Sequence, residues 1–172
     1  MKEPSSGARI ESKGVGLELN ASVNGHGLRI AIIAAKFNLN ITSKLVDGAI
    51  QALSDNGIAS SDISIVWVPG SFEIPLTALE VAKTGKCDAI VCLGAVIKGE
   101  TAHFEYVSAE ASNGITHASM MTSVPMAFGV LTTYTVDQAM ARAGGEHGNK
   151  GYDAALVAIE SANILTELQK HR

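Results

Sequence analysis

Long apolar runs alternate with amphipathic segments along most of this chain. Three runs are apolar almost throughout, which is typical of parallel strands that helices cover on both faces: RIAIIAA from Arg29, ISIVWV from Ile63 and AIVCLGAVI from Ala89. A fourth run, MAFGVLTT, follows Pro125. We therefore predict four strands in this order.

Five helices are predicted between and after these strands. The second has Pro75 near its first turn, where a missing N–H is harmless, and ends at about Lys83. The last three are expected at about residues 101–121, 136–143 and 152–168. The first ends at SDNG, and its apolar face is formed by Ile41, Leu45, Ala49, Ile50 and Leu53.

The alternation of strands with helices predicts an α/β fold with a parallel sheet. We expect a three-layer α/β/α sandwich of the flavodoxin-like type, with a central four-stranded parallel sheet. GLELNAS, residues 16–22, is predicted to be a short additional N-terminal strand, on an edge of the sheet or on a neighbouring subunit. Residues 1–14 are predicted to be a disordered tail, and residues 15–172 a single domain.

Composition narrows the class of protein without indicating an activity. The net charge is −4 and the basic residues are scattered, so a surface that binds nucleic acid is not expected. No apolar run approaches the length of a membrane span, and the N-terminal stretch lacks the apolar segment of a signal peptide. Cys87 and Cys92 are predicted to be small buried side chains on opposite faces of a strand. Together these features predict a cytoplasmic protein.

Three segments follow the predicted strand ends, where ligands bind in open α/β sheets: AKFN, PGSFE and GAVIKGETAH. In the last, Gly94 and Gly99 are spaced as in a P-loop. Glu100 stands where that motif needs lysine, which argues against nucleoside triphosphate chemistry. The backbone N–H groups of Glu100 and Thr101 open a predicted helix, and a helix N-terminus attracts phosphate without any motif.

Side chains suited to chemistry cluster at the same strand ends. His103 falls in the first turn of the predicted helix, where the dipole favours a neutral ring that can exchange protons near neutral pH. Phe37 and Phe72 together make a wall on which a planar ring could stack. Glu73 could accept hydrogen bonds from hydroxyl groups. Each also has an ordinary alternative: a surface histidine, core phenylalanines and an acid that stabilises a helix start.

Two basic residues, Arg142 and Lys150, flank the glycine-rich AGGEHGNKG. The spacing fits no nucleotide-binding motif. They are either solvated charges beside a flexible turn or, for the arginine, a bidentate clamp for a phosphate.

Several long motifs occur in a fixed order: KFN, ITSKLVDGA, WVPGSFEIP, DAIVCLGAVIKGETAHFEYV, GVLTT and RAGG…GNKG. In this order they closely resemble the 6,7-dimethyl-8-ribityllumazine synthase family of riboflavin biosynthesis, from about Leu28 to the C-terminus. The resemblance implies condensation of 5-amino-6-(D-ribitylamino)uracil with 3,4-dihydroxy-2-butanone 4-phosphate, the penultimate step of that pathway. The family needs no metal or organic cofactor.

The resemblance also implies a role for each matching residue, with His103 transferring protons. The residues implied to bind the pyrimidine and its ribityl chain are Phe37, Ser71, Phe72, Glu73, Ala95, Val96, Ile97 and Phe128. The residues implied to bind the phosphate are Glu100 and Thr101, through backbone N–H groups, together with Arg142 and Lys150.

The resemblance implies a homo-oligomer built from pentamers, with active sites between subunits. Family members occur as single pentamers, paired pentamers and sixty-subunit icosahedral shells, and riboflavin synthase is a candidate partner. Phe128 comes three residues after Pro125, near the start of the fourth strand and away from the other strand ends. We therefore expect a neighbouring subunit to supply it, together with Arg142.

Three positions depart from the commonest family pattern. Lys36 and Lys98 stand where arginine is frequent, which keeps the charge but loses bidentate geometry. Glu146 occupies a position that is often basic and brings a negative charge toward the implied phosphate site. Two other functions stay open: an archaeal-type riboflavin synthase, which acts on the lumazine product, and a non-catalytic protein that binds flavin or lumazine or forms a shell.

Overall fold

Four parallel strands form the central sheet in this computed structural model, which describes residue 14 and residues 16–171. They are β1 (Ile30–Ala35), β2 (Ile63–Val68), β3 (Ala89–Ile97) and β4 (Met126–Thr133), in the order β2-β1-β3-β4. The predicted bounds of the last three are confirmed, and the order is that of a flavodoxin-like sheet. The tail predicted at residues 1–14 lies, apart from Gly14, outside the described residues.

Helices cover both faces of this sheet. α1 (Leu39–Asp55) and α5 (Lys150–Lys170) pack on one face, and α2 (Ile74–Lys83) and α3 (His103–Thr122) pack on the other. The short α4 (Val136–Ala141) follows β4. The predicted three-layer α/β/α sandwich is confirmed. No helix within the described ranges is long and apolar enough to cross a bilayer.

The core explains why the strands read as continuous apolar runs. Every residue of β1 is buried, because its side chains alternate between the two helical layers. The predicted apolar face of α1 packs toward the sheet, with Ile50 only partly buried. The β1 side chains facing α1 and α5 are Ile30, Ile32 and Ala34, and those facing α2 and α3 are Ala31, Ile33 and Ala35.

The additional N-terminal strand is not formed in this single chain. Residues 17–25 have no strand pairing, and the segment is held by α5 instead. Asn163 Nδ2 donates to the carbonyl oxygens of Ser22 and Asn24 at 2.7 and 2.9 Å. These bonds keep the segment on the α5 side of the molecule, so it adds no edge strand to the sheet. A strand formed on a neighbouring subunit stays a prediction.

Cys87 and Cys92 are both buried, as predicted, but they do not face opposite sides of the sheet. Both pack in the layer of α2 and α3, because Cys87 lies two residues before β3 and the alternation of a strand does not extend to it. The two thiols are free. Burial raises the pKa of Cys92 to about 12 and also raises the pKa of Cys87, so neither is a candidate nucleophile.

Candidate active site

A cavity of about 630 Å³ opens at the carboxyl edge of the sheet, among the loops that follow β1, β2 and β3. The connection after β1 runs to the α1 face, whereas the connection after β3 runs to the opposite, α3 face. The two loops therefore separate above the sheet and leave a crevice between them, which is where ligands bind in this class of fold. This is the position that the sequence predicted.

Most of the predicted site residues line this first cavity. Glu100 is not on its wall, although its neighbours Gly99 and Thr101 are. The predicted residues that do line the cavity are Phe37, Ser71, Phe72, Glu73, Ala95, Val96, Ile97, Thr101 and His103.

Phe37 is presented by a loop whose backbone is fixed to the neighbouring strand ends. The Lys36 N–H donates to Val68 O at 2.8 Å, and the Phe37 N–H donates to Pro69 O at 3.1 Å. Asn38 then links this loop to β3, because its Nδ2 donates to Ala95 O at 2.9 Å. With its backbone held, the Phe37 side chain remains 70% exposed at the mouth of the cavity.

Asn38 is a positioning residue that the sequence reasoning missed. Its φ of 59° lies in the left-handed region, where asparagine is tolerated better than most residues. The signal was present in the sequence as an asparagine at a turn from strand to helix. Its partner, the Ala95 carbonyl, could not be foreseen without the pairing of the strands.

The end of β3 offers backbone groups to a ligand. β3 pairs with β1 only as far as Leu93, opposite Ala34, whereas it pairs with β4 as far as Ile97, opposite Thr133. Residues 95–97 therefore have one strand edge that β1 does not cover, and this edge faces the cavity. Hydrogen-bonding groups on an uncovered edge must find another partner, and Asn38 already supplies one for Ala95 O.

The loop after β2 packs closely against β3. Ser71 is buried, and its Oγ lies so close to the position of a Cβ on Gly94 that any larger residue there would force Ser71 to move. The Glu73 carboxylate curves back over Gly70, with Oε2 3.1 Å from the position of a Cβ on that glycine. Phe72 is 58% exposed beside them. A carboxylate and an aromatic ring therefore meet at the cavity from this loop.

His103 is the first residue of α3 and an exposed part of the cavity wall. The helix begins two residues later than predicted, so Glu100 and Thr101 lie in the loop before it. The Thr101 Oγ1 accepts a hydrogen bond from the His103 N–H at 3.5 Å. Tyr106 and Val107, one helical turn further on, line the same wall. The sequence reasoning missed both, although spacings of three and four from His103 were the signal.

Phe128, Arg142 and Lys150 line a second cavity, of about 480 Å³, which shares no lining residue with the first. Phe128 pairs with Cys92 in the middle of β3 and lies five residues before Thr133 at the end of β4. At about 3.3 Å per residue this places it about 16 Å from the carboxyl edge. Within one chain the predicted site is therefore divided in two.

The glycine-rich segment between α4 and α5 is an ordered hairpin rather than a flexible turn. Its strands are β5 (Ala143–Gly145) and β6 (Gly148–Asn149). Asn149 Oδ1 accepts from the N–H groups of Gly151 and Tyr152 at 2.8 and 3.2 Å and so caps α5. Asn149 Nδ2 donates to Lys44 O of α1 at 2.7 Å. The hairpin is thereby fixed to both helices.

Hydrogen bonds and ion pairs orient the charged groups around this hairpin. Arg142 Nη1 donates to Gln138 O at 3.0 Å, and Lys150 Nζ lies 2.6 Å from Asp153 Oδ2. Glu146 is 78% exposed near the turn, and its carboxylate lies 3.5 Å from His147 Nε2. The Glu146 carboxylate therefore lies beside the side chain of His147, and no ion pair among the described residues joins it to Arg142. Within the described ranges, no group of three or more His, Cys, Asp or Glu side chains is placed to hold a metal ion.

The strand order and the first cavity define a flavodoxin-like α/β protein with a candidate small-molecule site at the carboxyl edge of its sheet. An exposed aromatic ring, a carboxylate, an imidazole and an uncovered strand edge meet in that cavity. The sequence profile of the 6,7-dimethyl-8-ribityllumazine synthase family matches residues 27–166, and this chain belongs to that family. The resemblance seen in the motifs is confirmed, and the family places the chain among the transferase enzymes of riboflavin biosynthesis.

Proposed function

We propose that this chain condenses 5-amino-6-(D-ribitylamino)uracil with 3,4-dihydroxy-2-butanone 4-phosphate to give 6,7-dimethyl-8-ribityllumazine. The observation that carries the proposal is the first cavity, in which Phe37, Glu73 and His103 surround the uncovered end of β3 in a chain of the lumazine synthase family. Each of these groups matches a chemical feature of the substrates or of the reaction.

The pyrimidine has a flat ring and a hydrogen-bonding edge. We assign the ring to a stack on Phe37 and the edge to the backbone groups of residues 95–97. The ribityl hydroxyls donate to the Glu73 carboxylate, beside Ser71 and Phe72. The phosphate lies at the loop before α3, where Glu100 and Thr101 offer backbone N–H groups.

The reaction consists of two condensations and one elimination, and therefore it needs no external oxidant or reductant. The 5-amino group attacks the ketone and releases water as the imine forms. A proton then leaves the carbon next to the imine as phosphate departs from the neighbouring carbon, and the resulting enol takes up a proton on carbon to become a ketone. The ribityl-bearing nitrogen attacks this ketone, and a second water is lost as the ring closes. Each step moves a proton onto or off nitrogen, oxygen or carbon, and His103 at the cavity wall is the group assigned to this transfer.

The role of His103 has a direct test. His103→Ala is expected to lower kcat by about 10²-fold, at the low end for general acid–base catalysis, because an imine also forms without enzyme. His117 is the matched control, since it is exposed on the same helix but lines neither cavity. Unchanged kcat in a folded His103→Ala protein would remove the assignment.

The second cavity completes the site in this proposal. A homo-oligomer built from pentamers would bring Phe128, Arg142 and Lys150 of one subunit to the first cavity of the next, where Arg142 clamps the phosphate. The separation of the two cavities in one chain supports this arrangement. Riboflavin synthase is a candidate partner because it would consume the product.

One set of incubations tests the function as a whole. The purified chain is given both substrates, either substrate alone, or the lumazine alone, while lumazine absorbance is followed and the assembly is sized. Product that requires both substrates supports the proposal. Riboflavin formed from the lumazine alone would identify a riboflavin synthase. Tight binding of a substrate analogue without turnover would identify a binding or shell protein.

A further inference from the structure

A lysine, a carboxylate and two aromatic rings meet beside the loop that carries His103. Lys98 Nζ donates a hydrogen bond to Glu105 Oε1 at 3.0 Å and forms an ion pair with it. This hydrogen bond holds the pKa of the Glu105 carboxyl below its usual range. The same Nζ lies 5.9 Å from the Phe104 ring centroid and 5.6 Å from the Tyr134 ring centroid. These two rings stack at 6.3 Å with an interplanar angle of 30°.

This cluster joins the two ends of the loop at residues 98–102. Lys98 is the first residue after β3, and its N–H donates to Thr133 O at the end of β4 at 2.9 Å. Glu105 is in the first turn of α3, two residues after His103. The ion pair therefore spans the loop from the sheet to the helix, and the intervening Gly99 and Thr101 line the first cavity.

We propose that Lys98 and Glu105 form a clasp that positions the loop at residues 98–102, together with His103, for the phosphate-bearing substrate. Lys98 is a positioning residue and not a ligand, since neither it nor Glu105 lines the first cavity. Phe104 does line the cavity, so its contact with Lys98 links the clasp to the wall. The kinetic part of this inference rests on the proposed function, whereas the part on loop order does not.

The direction in which Glu105→Ala changes the KM for the phosphate substrate distinguishes a positioning role from a purely electrostatic one. If these two residues acted only through their fields, removing Glu105 would take a negative charge away from the phosphate and lower the KM for that substrate. A clasp predicts the opposite: Lys98→Ala and Glu105→Ala both lower kcat/KM for the phosphate substrate by about 3- to 10-fold, in line with an exposed ion pair reinforced by cation–π contacts. The double variant should lose no more than Lys98→Ala alone, since that variant already removes both the ion pair and the cation–π contacts of Lys98.

The experiment compares four clasp variants with a control pair. Lys98→Ala, Glu105→Ala, their combination and Lys98→Arg are assayed for kcat and for the KM of each substrate. Amide hydrogen exchange at residues 99–103 is measured in the free protein. The control is the ion pair of Lys83 with Glu80 on α2, which has a similar N–O distance of 2.8 Å and lines neither cavity. Lys83→Ala and Glu80→Ala should change neither readout.

The proposal is supported if both single variants raise exchange at residues 99–103 and lower kcat/KM for the phosphate substrate, with Lys98→Arg near wild type. It is overturned if Glu105→Ala lowers the KM for the phosphate substrate, if the losses in kcat/KM add in the double variant, or if amide hydrogen exchange at residues 99–103 is unchanged. If wild type shows no turnover, the proposed function fails, and the exchange measurement still decides whether the clasp orders the loop.

Discussion

A mixture of two impaired variants, assayed with the phosphate substrate well below the KM of both, should recover activity if the active site is shared between subunits. The perturbations are His103→Ala, which damages the first cavity, and Arg142→Ala, which damages the second. The structure motivates the test because Phe128, in the second cavity, lies about 16 Å along β4 from the edge where the first cavity opens. Because the two cavities share no lining residue, a ligand stacked on Phe37 is not expected to contact Phe128 of the same chain.

The expected recovery follows from counting pockets. In a head-to-tail ring, each pocket takes His103 from one subunit and Arg142 from its neighbour. With equal, random mixing, about half of the pockets receive an intact His103 from one subunit, and independently about half receive an intact Arg142 from the next. About one quarter of the pockets are therefore fully wild type. Activity should therefore rise from the background of the single variants to about one quarter of the wild-type value.

The assay is lumazine formation after the two proteins are dissociated, mixed and reassembled, with subunit exchange verified by mass. Phe37→Ala mixed with His103→Ala is the matched control. Both residues line the first cavity of one chain, so no hybrid pocket contains both intact residues and no recovery is expected. The shared-site reasoning is refuted if the test mixture exchanges subunits but stays at background, or if the control mixture recovers equally.

Three further predictions test the charges and the packing. Arg142→Ala should raise the KM for the phosphate substrate, because it removes charge-assisted hydrogen bonds worth about 1.5–3 kcal/mol. Arg142→Lys should recover part of this loss, and the KM for the pyrimidine should change little. Gly151→Ala should lower the free energy of unfolding in urea by about 1–3 kcal/mol, because a Cβ there would overlap the Leu45 carbonyl oxygen. The hydrogen bond and charge of Arg29, 2.8 Å from Asp88, lower the pKa of that carboxyl, so its stabilisation is present above the ordinary Asp pKa and is lost as the pH falls through the lower folded value. Wild type should therefore be more stable than Asp88→Asn at pH 7, and urea titrations should show the gap closing toward pH 3.

The central strands were predictable because buried parallel strands are apolar on both faces. β2, β3 and β4 match their predicted bounds, and Pro69 and Pro125 mark two of their ends. Helix starts were predicted less well. α3 begins at His103 after Ala102, whose side chain makes no capping bond, so no signal marked its start. α5 begins earlier than predicted because Asn149 caps it, and that asparagine was a visible signal.

Most of the residues that line the first cavity were predictable, but the placement of Phe128, Arg142 and Lys150 in a second cavity was only partly so. Loops after parallel strands converge at one edge, which is why residues far apart in sequence, such as Phe37, Phe72 and His103, line one cavity. The placement of Phe128 depended on counting residues back from the end of β4, and its register with Cys92 required the pairing. The bond from Asn38 to Ala95 O and the clasp at Lys98 depend on how far β3 extends past β1, which periodicity does not encode.

The two edges of the sheet bear on how copies of this chain can associate. β2 and β4 are the edge strands, and both expose large apolar side chains: Ile65 and Trp67 are 39% and 37% exposed on β2, and Phe128 is 46% exposed on β4. A two-fold dimer would bury one edge twice and leave the other in water, whereas a head-to-tail contact buries β2 of one copy against β4 of the next. Repeating that contact closes a ring if the rotation permits. Because Phe72 follows β2 and Phe128 lies on β4, the same contact would bring the first cavity of one chain to the second cavity of its neighbour if the two sheets were staggered along the strand direction. The contact that covers the apolar edges is thus also the one that would complete the proposed active site.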